Sequence, residues 1–301
     1  MRARLPWRMV RFGGLTNTLI ARPFRRARLQ HVLASLPARP DVTVVIPVRN
    51  RSGGAIDNTL RALRRQTYPR DLVQVVLVDY NSIATHAAWL ATAARTYQAT
   101  VIQVANVHEW NKPHCLNVAI RRCVTRYVMI LDADIVLASD YLQEAISELT
   151  RDPLQVVMNQ ILDLPEQARN LPPEFTDADL AGARKNAVPR TPGLHHEGTF
   201  VTTTEVLKQL RGFDENIKLW GSEDNDIIGR LENYAMTLTT LAGKTFYLHQ
   251  WHPLYDGADP ELIDRQFKAN WAYVTRLQGK FVRNPYGWGA EAPGRIADSR
   301  G

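Results

Sequence analysis

An α/β architecture, a mostly parallel sheet with helices on both faces, is expected for this chain of 301 residues. From Asp41 onward, short β-branched runs alternate with amphipathic segments of helix length, which is the signature of repeated strand–helix units. Hydrophobic residues make up 45% and charged residues 22%, ordinary globular proportions that argue against a disordered or fibrous chain. No stretch approaches the ~18 uninterrupted apolar residues of a membrane span, and roughly three quarters of the unfolded surface can be buried at this size.

The chain opens on a basic extension. Residues 1–40 hold nine arginines and no carboxylate, so the formal charge of +7 becomes −2 over the rest. The body therefore lacks the basic face expected of a nucleic-acid binder, and none is expected as a partner. Arg2, Arg4, Arg8, Arg11, Arg22, Arg25, Arg26, Arg28 and Arg39 are interleaved with Leu5, Trp7, Met9, Val10, Phe12, Leu19, Ile20 and Phe24. Two readings stay open: a basic amphipathic segment lying on an anionic membrane surface, or a mobile extension in a chain that uses 30 Arg against 7 Lys. The extension has neither the apolar stretch nor the cleavage site of a secretory signal, so the expected location is cytoplasmic, with peripheral contact at the inner membrane face under the first reading.

Strands are expected at Val42–Val48, Val73–Asp79, Thr100–Val104 and Tyr127–Leu131, with a fifth near Val156–Asn159. Helices are expected at about Ile56–Gln66, Thr85–Tyr97, Cys115–Cys123 and Asp140–Leu149. Cys115 and Cys123 read as buried reduced thiols, since two cysteines make no disulfide framework. Parallel sheets bind ligands beyond the carboxyl ends of their strands, which directs attention to Pro47–Arg51, Asp79–Ser82, Ala105–Lys112 and Asp132–Asp134. After about residue 160, Pro165, Pro172, Pro173, Pro189 and Pro192 suggest loops laid over the sheet.

Asp132-Ala133-Asp134 leaves a very apolar strand. Two carboxylates two apart at a strand end can face one divalent cation, Mg²⁺ or Mn²⁺, shared with phosphate oxygens. The loop Pro47–Gly54 matches neither dinucleotide nor P-loop patterns, so phosphate would be met by metal and by Arg49 and Arg51, whose planar forks suit it. In Trp220-Gly221-Ser222-Glu223-Asp224-Asn225-Asp226, Ser222 and the acids read as a helix N-terminus, while an indole beside glycine calls for a stacking partner. A carboxylate there can serve as a general base. In His249-Gln250-Trp251-His252, either histidine can supply a neutral nitrogen to a metal.

Taken in order, these pieces resemble a GT-A glycosyltransferase of the family 2 type. The stretch Gly198–Leu231 is similar to the motif region of galactosyl- and N-acetylgalactosaminyltransferases. The residues that carry the resemblance are Val45–Arg51, Asp79, Trp110-Asn111-Lys112 with Leu116-Asn117, Asp132-Ala133-Asp134, and Trp220-Gly221-x-Glu223-Asp224-x-Asp226. It covers about 41–255. It implies a nucleotide-binding half over 41–134, an acceptor and catalytic half over 135–255, and a C-terminal helical segment and tail over 256–301.

The resemblance also implies roles. Pro47, Arg49, Arg51, Asp79 and Lys112 would hold the nucleotide of a UDP-sugar. Asp134 would bind Mn²⁺ or Mg²⁺ directly, Asp132 would contact the ribose or reach the metal through water, and His249 would complete the site in preference to His252. Asp224 would deprotonate the acceptor hydroxyl, with Trp220, Gly221 and Glu223 binding sugar. The product would be an inverted hexoside or N-acetylhexosaminide, because related retaining enzymes carry Asn in place of the second acid. The acceptor, a saccharide, a lipid-linked glycan or a small molecule, would sit against variable loops such as Leu164–His196 and the segment after Pro253. Ser222 departs from the family, which often has glycine there.

Three alternatives stand beside this reading: a retaining GT-A enzyme, a haloacid-dehalogenase-like phosphohydrolase, and a noncatalytic sugar-nucleotide binder. Asp132–Val136 fits the phosphohydrolase motif, but that family carries it after its first strand. The binder would have less use for Asp224.

Overall fold

A computed structural model describes residues 15–105, 107–168, 171–172, 174–190, 198–253, 259–277 and 279–290. Its strands are β1 (Val42–Val48), β2 (Val73–Tyr80), β3 (Thr100–Val104), β4 (Tyr127–Ile130), β5 (Ile135–Leu137), β6 (Gln155–Met158), β7 (Leu162–Asp163), β8 (Val188–Pro189), β9 (Phe200–Thr203), β10 (Thr237–Thr240) and β11 (Tyr247–His249). Its helices are α1 (Leu15–Ala34), α2 (Gly54–Arg64), α3 (Ala84–Tyr97), α4 (Lys112–Arg122), α5 (Tyr141–Arg151), α6 (Asp177–Arg184), α7 (Thr204–Gln209), α8 (Glu223–Tyr234) and α9 (Pro260–Arg276).

The main sheet has seven strands in the order β10-β6-β9-β4-β1-β2-β3. Pairings β1–β2, β1–β4, β2–β3 and β6–β10 are parallel, and β9 runs antiparallel to both β4 and β6. The parallel half matches the expected strands closely. The Pro-rich region differs from the expected run of loops: it contributes β7, α6 and β8, and the chain directly after it inserts β9 into the middle of the sheet. Pro173 and Pro192 lie outside the described residues.

β1, β4 and β6 are buried along their whole length because both faces of the sheet are covered there. Successive side chains point to opposite faces, so Val44 and Ile46 of β1 join one core with Leu60, Leu90 and Tyr141, while Val45 joins the other with Leu116, Phe200 and Ile227. Tyr127 and Met129 divide from Val128 and Ile130 in β4 in the same way. Cys115 and Cys123 are buried free thiols, and burial pushes both above the ordinary thiol range, that of Cys123 to about 11.

The basic extension does not trail away from Leu15 onward. Leu29 and Leu33 of α1 are each 1% exposed within the second core, a burial that contributes roughly 1.5–3 kcal/mol per side chain. The guanidinium of Arg22 donates to the Met236 carbonyl (2.9 Å), that of Arg25 to the carbonyls of Tyr234 (2.7 Å) and Asn233 (3.2 Å), and that of Arg26 to the Ala235 carbonyl (3.2 Å). The carbonyls of Asn233, Tyr234 and Ala235 are ones that the end of α8 leaves unpaired, so Arg25 and Arg26 cap a helix C-terminus and complement its dipole, and Arg22 binds just beyond it. Arg2, Arg4, Arg8 and Arg11 lie outside the described residues. Among the described residues no helix is long and apolar enough to cross a membrane.

A second sheet of four short strands, β5-β11-β7-β8, sits beyond the carboxyl end of β4. Strands of two or three residues show no readable alternation, so this sheet was not foreseeable. It assembles one wall of the site.

Candidate active site

Asp134 follows the turn that leaves β4, directly before β5. In β11, His249 pairs with Ile135 of β5, which puts its ring beside Asp134. His249 Nε2 lies 3.7 Å from one Asp134 carboxylate oxygen, and His252 Nε2 lies 3.5 Å from the other. One donor atom from each of Asp134, His249 and His252 falls within 4.8 Å of the others. The second ring nitrogens are both occupied. His249 Nδ1 is 3.0 Å from the Asp163 carboxylate, and His252 Nδ1 is 2.9 Å from the Pro253 carbonyl. With a cation in the site, each Nδ1 would donate to the acceptor behind it and leave the Nε2 lone pair toward Asp134. A carboxylate and two imidazoles so placed fit a divalent transition cation.

Asp134 already has a cation from the chain, the Arg51 guanidinium at 2.7 Å. Burial pushes the Asp134 carboxyl up, but the positive groups around it, His249, Arg51 and His252, leave it below the ordinary carboxylate value.

Asp132 faces the other way. Its carboxylate is 2.9 Å from Lys112 Nζ, at the first residue of α4, and it does not belong to the three-residue group around Asp134. Lys112 Nζ also lies 3.6 Å from Glu223 and 3.8 Å from Asp224. Burial alone would lower the Lys112 ammonium; the carboxylates of Asp132, Asp224 and Glu223 raise it well above its ordinary value, so it stays charged. Lys112 thus joins the acid that leaves β4 to the two that open α8. Gly198 lies against the same group. A Cβ at Gly198 would stand 2.9 Å from Asp224 Oδ2, 3.0 Å from Lys112 Nζ and 3.1 Å from Asp132 Oδ2, so a larger residue would crowd these side-chain ends.

The loop before α8 is held from behind. The buried Asn270 of α9 donates from Nδ2 to the carbonyls of Lys218, Trp220 and Gly221 at 3.0–3.2 Å. Trp220 is 51% exposed, with its ring centroid 5.8 Å from that of Phe267. Phe267 meets the indole at a tilt of 38° rather than stacked on it, and leaves half of Trp220 exposed. Gly221 has φ +91° and a Cβ there would meet Phe267 at 2.4 Å, so the position demands glycine.

Ser222 precedes α8 but does not cap it as expected. Its φ is 72°, its side chain makes no capping hydrogen bond, and its hydroxyl is buried. A left-handed backbone at a non-glycine residue costs on the order of 1–2 kcal/mol, so the position has the backbone of a glycine.

Two residues of the motif set are structural. Asp226 is buried between Arg230 (2.7 Å) and Arg283 (2.7 Å), and Arg283 continues to Asp214 at 3.0 Å, which ties the segment after α9 to α8. Asn117, also buried, donates to the Phe213 carbonyl and accepts from the Phe213 amide, both at 2.8 Å.

On the opposite side, the loops after β1 and β2 are stitched together. The Asn50 amide donates to Ser82 Oγ (2.8 Å), and Asn50 Oδ1 accepts from the Ile83 amide (2.9 Å). Pro47 is buried in β1 opposite Val78. Asp79 is buried and accepts from the Ser82 amide (3.0 Å), and Arg49 reaches the His108 carbonyl (2.8 Å). Residues 191–197 and 254–258, where acceptor loops were expected, lie outside the described residues.

Sequence reasoning missed Asp163, Arg190, Gly198 and Asn270. Asp163 and Arg190 sit on or beside two-residue strands, and Asn270 makes its contacts 49–52 residues away along the chain, so none had a local signal.

The family described as "Glycosyl transferase family 2" matches residues 43–195, just over half of the chain, and "N-terminal domain of galactosyltransferase" matches residues 192–253. No curated protein matches the sequence. Among solved structures, TarS of S. aureus is 19% identical with a TM-score of 0.57, covering 79% of this chain and 39% of its own. The mannosyltransferase PcManGT of Pyrobaculum calidifontis, in complex with GDP-Man and Mn²⁺, is 21% identical with a TM-score of 0.56, covering 86% of this chain and 73% of its own. GalNAc-T7, with UDP, GalNAc and Mn²⁺, is 15% identical with a TM-score of 0.58, covering 79% of this chain and 48% of its own. The chain thus spans well under half the length of TarS and about half that of GalNAc-T7. At these identities the likeness is one of fold.

Proposed function

The chain belongs to glycosyl transferase family 2, and from that premise we propose that it is a metal-dependent inverting enzyme moving a hexose or N-acetylhexosamine from a UDP-sugar to an acceptor hydroxyl. Its GT-A fold and family make it a glycosyltransferase that uses a nucleotide sugar. The sugar, the stereochemistry and the residue roles are our reading. The phosphohydrolase alternative falls with the family match and with the position of Asp132-Ala133-Asp134 after the fourth strand of the chain.

The observation that carries the reading is the pair of neighbouring clusters beyond β4. Asp134, His249 and His252 bring one possible ligand atom each together on one side, and Asp132, Lys112, Glu223 and Asp224 meet on the other. In the first, Asp134 and His249 would hold the cation, with His252 as a further ligand. Two imidazoles beside one carboxylate suit Mn²⁺ better than Mg²⁺, which prefers an all-oxygen shell. When bound, the cation supplies positive charge to the departing diphosphate, worth about 4 kcal/mol at 4 Å and an effective dielectric near 20.

The chain's own residues supply the rest. Arg51 leaves Asp134 to meet the diphosphate with Arg49, and Asp79 and the stitched loops beside Pro47 hold the nucleoside. Asp132 faces the ribose while Lys112 keeps it oriented. Trp220, Gly221 and Glu223 hold sugar against the Phe267 face. Asp224 takes the proton of the acceptor hydroxyl at its carboxylate. Because the transition state is oxocarbenium-like, a base opposite the leaving group gives inversion at the anomeric carbon.

The test is a panel of UDP-sugars with Mn²⁺ and a mixed acceptor library, read by UDP release and by NMR of the anomeric proton. An α-configured donor is expected to give a β-linked product, with release falling to background in EDTA. An α-linked product would show that the enzyme is retaining; release unaffected by EDTA would overturn the metal assignment.

A further inference from the structure

Three consecutive strands of the small sheet deliver an arginine, a carboxylate and a histidine in line toward Asp134. β11 and β7 run parallel with His249 opposite Asp163, and β7 pairs with β8 so that Asp163 lies opposite Val188, two residues before Arg190. The register is locked at both ends: the Leu164 amide donates to the His249 carbonyl (2.9 Å), and the Arg190 amide donates to the Ile161 carbonyl (3.0 Å). Arg190 grips Asp163 with its fork, Nη2 at 2.6 Å and Nε at 3.2 Å from Oδ1, with Nε also 3.2 Å from Oδ2. Asp163 Oδ1 then meets His249 Nδ1 at 3.0 Å, and the far side of the ring points at Asp134.

Among the described residues, the charged and titratable groups around the His249 ring are Asp163 behind it, Asp134 in front, with Arg51 on Asp134, and the His252 ring at 5.1 Å between centroids. Among the described residues, Asp163 alone engages Nδ1. His252, in contrast, has there only a main-chain carbonyl on its Nδ1.

We propose that Asp163, fixed by Arg190, is the positioning residue that holds His249 as its Nδ1-protonated tautomer and aims the Nε2 lone pair into the cation site. The proposal rests on the reading of His249 as a cation ligand. An ionised carboxylate behind an imidazole makes it a more basic ligand and freezes its rotation, so loss of such a partner weakens metal binding by about 10- to 100-fold. A purely structural role would predict something else: an ion pair with Asp163 36% and Arg190 41% exposed contributes little to stability, and its loss would leave cation affinity alone.

The experiment titrates donor-free protein with Mn²⁺, following loss of the free-ion EPR signal, in the wild type, Asp163→Ala and Asp163→Asn. In parallel, ¹H–¹⁵N correlation of the metal-free protein reports the tautomer of His249. Asp163→Ala is expected to weaken Mn²⁺ binding by 10- to 100-fold at nearly unchanged Tm, and to shift His249 toward the Nε2-protonated form. Asp163→Asn, isosteric and safe for the fold, is expected at the low end, about tenfold. Wild-type binding matched within twofold by both variants, or a wild-type His249 protonated at Nε2, overturns the proposal alone. A wild type that binds no Mn²⁺ overturns the cation site and this proposal with it.

Discussion

Asp224→Asn is expected to lower transfer by about a hundred- to ten-thousand-fold, the usual contribution of a positioned general base, while UDP and Mn²⁺ bind as in the wild type. The carboxylate is placed for that task by its surroundings. It lies 3.8 Å from Lys112 Nζ at the opening of α8, and Gly198 adds no side chain in front of it. Asparagine keeps the volume and the helix position but accepts no proton. The loss should therefore fall on kcat, with KM for the donor nearly unchanged. The measurement is steady-state transfer alongside calorimetric titration with UDP and Mn²⁺; turnover within a few fold of wild type would remove Asp224 from the mechanism. A parallel fall in UDP affinity would place it in donor binding.

Asp226→Ala, two residues further along α8, is expected to act on the fold. Asp226 is 3% exposed and shared between Arg230 and Arg283, themselves 5% exposed. Removing the carboxylate leaves two buried guanidinium groups beside each other with one fewer anion, and breaking a buried pair in this way costs about 3–5 kcal/mol. Asp214 retains Arg283, and the Gly212 carbonyl retains Arg230 at 2.7 Å, so collapse is not complete. For a chain of this length, the loss corresponds to a fall in Tm on the order of 10 °C. Differential scanning calorimetry checks it, and a Tm within a degree or two of wild type would contradict the network's role. The pair of variants separates two acids of one motif: Asp224 changes turnover in a stable protein, and Asp226 changes the stability on which turnover depends.

That separation was half legible in the sequence. Asp226 and Arg230 stand four apart on a helix, the spacing of a stabilising pair, but nothing local announces Arg283, which arrives from beyond α9. The parallel half of the sheet was legible because β1, β2 and β4 are mostly apolar, β-branched runs with helices between them. β9 was not, since Phe200–Thr203 is only four residues long and owes its place to gaps left by β4 and β6. Of the candidate site, the sequence singled out Asp134, His249 and Asp224, residue types whose chemistry draws attention, and the fold gathers them in two neighbouring clusters. The site was opaque where one side chain orients another: Asp163 behind His249, and Asn270 behind Trp220 and Gly221. Ser222 carried the residue type of a helix cap with the backbone of a glycine position, and its backbone φ of 72° prevailed. The arginines of α1 were visible as charge, but a charge pattern does not say whether its partners are lipid phosphates or the carbonyls that end α8.

The central claim is a cation held by Asp134, His249 and His252 beneath the departing diphosphate. Anomalous diffraction at the manganese edge, from crystals grown with Mn²⁺ and UDP, tests it directly. The account predicts one peak bonded to an Asp134 oxygen and to the Nε2 atoms of His249 and His252, with UDP phosphate oxygens completing the shell. UDP bound with no manganese there, or manganese bound without either histidine, would contradict it.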